Sequence, residues 1–401
     1  MKSIEIALKY GRAGESKLDK PSPFLHNGNM TNRVRRFTYR DELEGPSTYE
    51  TVASKDPSQL TFAKLVDRLT DDYAAYLFLE ELRWPKGPVC PHCHSVADAT
   101  FLKPRNETGT ARATTRGTMS QRRVWKCKGC RKQFSVLTDT IFHGSHVPVR
   151  VWVLVMFQMA SSKNGMAAKE VQRTYGLAPQ TAWHLCHRIR KAMERSAPEM
   201  LVGTIVADET WIGGHAKNRK HAGPTEEVAT NEPVRIEPGE LGTLRAESNP
   251  RRNKTPVFAL VNVETGEVRS KVVTDVTSAT LRKAMAEQVD MAGSDLMTDE
   301  GIWYNQIGKE FAAHMTVNHE QDEYVRYQGT RVITTNQAES YFSQLKRSLD
   351  GTHHSVSRQH LQRYLHEFDF RYSTRKMTDT QRMAKVIEQA DGRRLAYKLC
   401  R

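Results

Sequence analysis

Asp208, Asp299 and Glu339 are spaced along the chain so that they could converge on metal ions. Asp208 stands in Ile205-Val-Ala-Asp-Glu-Thr-Trp-Ile-Gly-Gly and Asp299 in Leu296-Met-Thr-Asp-Glu-Gly, each where a short apolar, strand-like run ends or is interrupted. Glu339, in Thr335-Asn-Gln-Ala-Glu-Ser, opens a segment of helical periodicity from Ala338 to Leu349. Charge at the end of an apolar strand is costly without a partner or a metal. Hard cations such as Mg²⁺ take carboxylate oxygens, and a pair of them can stabilise both the attacking and the leaving oxygen of a phosphoryl transfer. Taken singly, each acid reads equally well as solvated or salt-bridged. Glu209 and Glu300 are rivals for the site, and strand alternation lets only one acid of each adjacent pair face the metals. The aspartates are chosen as the first acids after each apolar run. Lys346 lies seven residues beyond Glu339, two helical turns along the same face. It is placed to contact a phosphate, with Arg347 beside it.

Those acids need elements to hold them. From Leu201 onward the apolar pattern is that of short strands, with Gly203–Ile212, Pro256–Val263 and Glu267–Thr274 as a meander and Thr265-Gly266 as a tight turn. Helix Ser278–Val289, strand Asp295–Thr298, helix Gly301–Phe311, a strand near His314–Val317 and helix Asn336–Leu349 follow. Upstream, Phe62, Leu65, Leu69, Tyr73, Tyr76, Leu77 and Leu82 mark helical segments, with Asp71 as a cap. Residues 1–58 are rich in charge, Pro, Gly and Ser and read as a flexible extension. The domains expected are a helical lead-in and ribbon at 59–145, a helical segment at 146–198, a catalytic domain at 199–375 with a polar insert at 214–255, and a C-terminal tail at 376–401.

Cys90-Pro-His-Cys93 and Cys127-Lys-Gly-Cys130 are two CxxC knuckles 33 residues apart. Such a pair supplies four thiolates to one structural Zn²⁺ with no open coordination position. His92 and His94 are bystanders on this reading. A basic stretch holding Lys103, Arg105, Arg112, Arg116, Arg122 and Arg123 separates the knuckles. The segment Ala167–Lys191 reads as helix, glycine-containing turn, helix. Val171, Tyr175, Leu177, Ala182 and Leu185 face a core, and Gln180, Thr181, His184, Arg188, Arg190 and Lys191 are left exposed. That is a helix-turn-helix whose second helix could enter a DNA groove, or an ordinary α-hairpin.

Charge supports a polyanionic partner. The chain of 401 residues has 60 Lys+Arg against 46 Asp+Glu, a formal charge of +14. The composition excludes a membrane span and a disulfide framework, since no apolar run approaches the length a bilayer requires and four of six cysteines form the knuckles.

Asp208-Glu-Thr-Trp-Ile-Gly-Gly, Thr298-Asp-Glu and Thr335-Asn-Gln-Ala-Glu-Ser-Tyr-Phe-Ser-Gln-Leu-Lys-Arg resemble the DDE-type transposases of bacterial insertion sequences, in the group with an N-terminal zinc ribbon. Arg83-Trp-Pro, Gln133-Phe-Ser-Val, Gly351-Thr-His-His and His360-Leu-Gln-Arg-Tyr-Leu extend the likeness in order, from about Leu60 to about Arg375. The resemblance implies an α/β, ribonuclease-H-like catalytic fold with flanking helices. It implies cleavage of transposon-end DNA and strand transfer with two Mg²⁺ (or Mn²⁺) on Asp208, Asp299 and Glu339. It further implies double-stranded DNA as partner, a homo-oligomer assembled on it, and a bacterial cytoplasmic location. Arg188, Arg190, Lys191, Lys346 and Arg347 are the expected DNA contacts. Two other readings stay open: a regulator with a degenerate catalytic domain, and a metal-dependent nuclease without strand joining.

Overall fold

The computed structural model describes residues 60–104, 108–114, 118–195, 199–213, 254–318, 325–329 and 331–397. The expected extension at 1–58, residues 214–253 of the insert, and Arg105 and Arg116 of the ribbon lie outside them.

The chain first builds a helical and zinc-ribbon module. Helices α1 (Phe62–Arg68) and α2 (Asp72–Arg83) are capped by Thr61 and by Asp71, whose carboxylate accepts the Ala74 N–H at 2.8 Å. The ribbon strands β1 (Ala99–Phe101), β4 (Trp125–Cys127) and β5 (Gln133–Phe134) form a three-stranded sheet, and β2 (Arg112–Ala113) pairs with β3 (Met119–Ser120). Glu80 of α2 ties ribbon to helix, accepting from Arg123 Nε at 2.8 Å and Trp125 Nε1 at 2.9 Å. Helix α3 (Val149–Ser161) carries the unbroken run Val-Trp-Val-Leu-Val-Met-Phe and is buried from Trp152 to Phe157, with Val151 partly buried, as a helix apolar nearly all round must be. Helices α4 (Ala168–Tyr175) and α5 (Pro179–Met193) follow as the expected pair. Gly176, left-handed at φ 63, closes α4, and Pro179 opens α5.

The domain from Leu201 onward is a five-stranded mixed sheet, the ribonuclease-H-like layout the sequence resemblance implied. Strands β6 (Leu201–Ile212), β7 (Thr255–Asn262) and β8 (Val268–Val272) run antiparallel as the predicted meander. Strand β9 (Val289–Asp299) then pairs parallel to β6, and β10 (Ala313–Val317) parallel to β9, giving the order β10-β9-β6-β7-β8. Helix α6 (Ser278–Ala286) and the one-turn helix α7 (Tyr304–Ile307) cover one face. A hairpin of β11 (Arg326–Gln328) and β12 (Arg331–Ile333) leads into α8 (Asn336–Ser348), which covers the other face together with α9 (Arg358–Ser373). The sequence merged α7 and the 3-10 turn after it into one longer helix, and left α9 unassigned.

Side chains of α9 close the edge of the sheet. Ser373, Asp369 and Gln362 accept the backbone N–H groups of Val268, Ser270 and Val272 at 3.0, 2.9 and 2.9 Å. Positions 362, 369 and 373 share one helix face, and they satisfy donors that would otherwise recruit another strand.

One domain boundary needs correction. Residues 376–401, read from sequence as a tail, contain helix α10 (Asp379–Glu388), whose Met383, Val386 and Ile387 are fully buried against α3 and α2. Thr378 and Gln381 form a capping box at its start. Its three apolar side chains sit at i, i+3 and i+4, too short a stretch for periodicity alone to show what they pack against.

Candidate functional site

Alternation along β6 separates the acids. Val206 belongs to the core beneath α8 and α9, while Ile205 and Ala207 belong to the core beneath α6 and α7. Asp208 therefore shares the α8 face, and Glu209 points to the opposite one. There the buried Tyr304 hydroxyl donates to Glu209 Oε2 at 2.6 Å. On β9, Met297 lies on the α8 face and Leu296 on the other, which places Asp299 with Asp208. The β6–β9 register pairs Val206 with Met297; two residues on, Asp208 within β6 stands beside Asp299, the last residue of β9. Glu300 lies past the strand and is exposed.

The helix brings the third acid. Ala338, Tyr341, Phe342 and Leu345 bury one face of α8 against the sheet, so Glu339 is held over the same end. An open cleft of about 610 Å³ is lined by Asp208, Glu209, Glu339, Lys346, Arg347 and Asp350 among others, and Asp299 stands outside that lining. Each acid accepts an orienting hydrogen bond: Asp208 from the Glu209 N–H at 2.7 Å, Asp299 from the Gly301 N–H at 3.1 Å, and Glu339 from the Thr335 hydroxyl at 3.1 Å. Burial, then the neighbouring Glu209, then Asp299 and Glu339 push the Asp208 carboxyl up to about 7, against the pull of the Glu209 N–H. A half-buried carboxylate ringed by acids is short of positive charge, and its donor set is all oxygen; that is the chemistry of a hard divalent cation. The set is open rather than clenched. Among the described residues, only the four cysteines bring three or more ligand atoms within 4.8 Å of one another.

Those cysteines fit zinc. Tetrahedral coordination with Zn–S near 2.3 Å sets sulfurs about 3.8 Å apart. Cys90 and Cys130 Sγ lie 3.6 Å apart, and Cys93 and Cys127 Sγ 3.5 Å. The knuckles repeat each other's backbone: Cys90 N donates to Ser95 O and Cys127 N to Lys132 O, with His94 and Arg131 left-handed at φ 58 and 59. The Ser95 hydroxyl lies 3.3 Å from both Cys93 and Cys127 Sγ and lowers both thiols, while burial pushes the Cys90 thiol up to about 11. His94 is exposed at the rim. Cys127→Ser should remove about one zinc per chain, measured by metal analysis, and should loosen the ribbon and the α2 helix behind it to proteolysis. Full zinc retention would contradict the four-cysteine assignment.

The expected DNA-contacting arginines of α5 are corrected by the structure. Arg190 is fully buried, its Nε donating to Glu367 Oε2 at 2.6 Å and its guanidinium 3.9 Å from the Tyr364 ring centroid. Arg188 is buried too, donating to His143 O at 2.6 Å over the Trp152 ring. Lys191 is ion-paired with Glu194. The wheel that exposed these residues ignored α9, whose Glu367 takes Arg190, and Trp152 of α3 with His143, which take Arg188. What α5 leaves exposed is its first turn, Pro179, Gln180 and Thr181, and what α4 leaves exposed includes Lys169 and Arg173. The sequence listed Gln180 and Thr181 as exposed and missed the α4 pair, which only the mutual packing of the two helices reveals.

No helix among the described residues is long and apolar enough to cross a membrane. Residues 70–133 match the transposase zinc-ribbon domain, and residues 200–373 match the ISXO2-like transposase domain. The chain is also similar to an uncharacterized protein in transposable element ISH50 of Halobacterium salinarum, 22 % identical over 313 residues, which span 78 % of this chain and 94 % of that protein. Both domains and their order are those of one group, and the chain belongs to the transposases that join a zinc ribbon to a DDE-type catalytic domain.

Proposed function

We propose that the chain cuts DNA at the ends of its element and transfers the exposed 3′-hydroxyl into target DNA, with Asp208, Asp299 and Glu339 holding two Mg²⁺ ions. Mn²⁺ suits the same all-oxygen donor set. The observation that carries this reading is the placement of Asp208 and Asp299 on one sheet face, under the helix that carries Glu339, with Asp208 and Glu339 lining a cleft together with Lys346 and Arg347. When bound, the two ions would stabilise the attacking and leaving oxygens of an in-line displacement.

The chain's own residues do the positioning. The Glu209 and Gly301 amides and the Thr335 hydroxyl fix the carboxylates in advance. Lys346 and Arg347 are exposed on the cleft wall and would hold the phosphates flanking the scissile bond. Glu209 does not join the metals, because Tyr304 holds it on the other face. The partner is double-stranded DNA, both element ends and target, bound by a homo-oligomer. Its further contacts are the first turn of α5 and the basic residues of α4.

The test is incubation of the full chain with Mg²⁺ and duplexes copied from the DNA flanking its gene. Nicked ends together with joined products support the proposal. Cleavage without joining would leave a metal-dependent nuclease, and binding with neither would leave the regulator. Affinity for these duplexes should also fall linearly in log–log terms with salt, with a slope near −0.9 per phosphate neutralised. Lys346→Ala should reduce that slope by about one, read by fluorescence anisotropy at several salt concentrations; an unchanged slope removes Lys346 from the phosphate contacts.

A further inference from the structure

Ile302 is the most exposed large apolar side chain among the described residues, with 80 % of its surface open to water. It is held there. Gly301 N donates to Asp299 Oδ1 at 3.1 Å, and Tyr304 N donates to Gly301 O at 2.9 Å. Trp303 O accepts the Ser278 hydroxyl at 2.8 Å, and Tyr304 and Ile307 just beyond are buried in the core under α6. The loop is thus pinned on both sides of Ile302, so this side chain cannot turn inward without breaking those contacts. A β-branched aliphatic group on a rigid turn is a stiff wedge.

Its place gives it work to do. Two residues separate it from Asp299, and the three Cα steps span no more than about 11 Å, so Ile302 lies within that reach of the acid. Around it, Asn305, Gln306 and Lys309 are exposed, as are Glu300 and Glu310, the latter paired with Arg282, a polar surface rather than one suited to an apolar protein partner. Apolar side chains set beside backbone contacts are used to enter a base step and unstack it. Resting on the transposase reading above, we infer that Ile302 inserts into the base stack beside the scissile phosphate and opens the duplex there for in-line attack.

The test compares the full-length chain and Ile302→Ala with Mg²⁺ on two duplexes copied from the DNA flanking its gene. One is fully paired; the other carries unpaired bases at the cleavage junction. The variant should lose on the order of tenfold in rate on the paired duplex, equivalent to about 1.4 kcal/mol, and match the wild type on the unpaired one. Ile302→Leu should keep most of the rate on both. Wild-type chain should also brighten 2-aminopurine placed at the junction, and Ile302→Ala should not. Equal rates for Ile302→Ala and wild type on the paired duplex would overturn the wedge, as would an equal loss on both duplexes. A change confined to oligomer size would overturn it too, assigning Ile302 to a contact between copies. If wild-type chain cleaves neither duplex, the transposase reading itself fails and takes the wedge with it.

Discussion

Asp208→Asn, Asp299→Asn and Glu339→Gln should each abolish cleavage and joining, by roughly 10³-fold or more on the scale of losing an essential electrostatic group. Each change keeps side-chain volume and removes charge from a cluster that is self-repelling without metal, so thermal melting and DNA binding should hardly change. The three should act as a unit, with double variants no worse than single ones. Glu209→Gln is the internal control. Its carboxylate is bound to Tyr304 on the opposite face of β6, so this change should cost far less activity. If Glu300→Gln is inactive while Asp299→Asn still transfers strands, the second acid is misassigned. If all three single variants stay active, the two-metal reading falls.

The second large effect is on stability and comes from a site the sequence placed on the surface. Glu367 of α9 is fully buried between Arg190 at 2.6 Å and Arg371 at 3.7 Å. Gly165, at φ +80, passes so close that a Cβ there would fall 2.7 Å from Glu367 Oε1. Glu367→Gln should destabilise the chain by about 3–5 kcal/mol, because it strands two buried guanidinium groups. Replacing Arg190 and Glu367 together by Met and Leu should recover much of that loss. The readout is thermal or denaturant unfolding; an unchanged midpoint for Glu367→Gln would contradict a buried ion pair. The pH dependence follows in sign. Burial alone would raise the Glu367 carboxyl, but Arg190 and Arg371 outweigh it and hold it below the usual range. Its contribution is therefore present above the ordinary glutamate pKa and is lost as pH falls through the lower folded value. Arg190→Ala should likewise reduce stability first, and DNA affinity only through that loss.

Much of this protein was legible along the chain because its signals are local. The CxxC knuckles, the Asp71 cap, the Gly176 turn and the β6–β8 meander each depend on neighbours within a few residues. Strand alternation puts Asp208 and Glu209 on opposite faces once the strand is known, while the choice between them rests on the resemblance and on their order after the apolar run. What the sequence could not decide is what covers each face. A helical wheel assigns sides to α5 but cannot know that α9, 177 residues away in the case of Arg190 and Glu367, packs over the polar side and takes Arg190 into a buried ion pair. The same blindness made α10 a tail, left α9's edge-capping side chains unseen, and gave Ile302 no distinction among other isoleucines. Burial and partnership are set by contacts between distant segments, and periodicity within one segment carries no record of them.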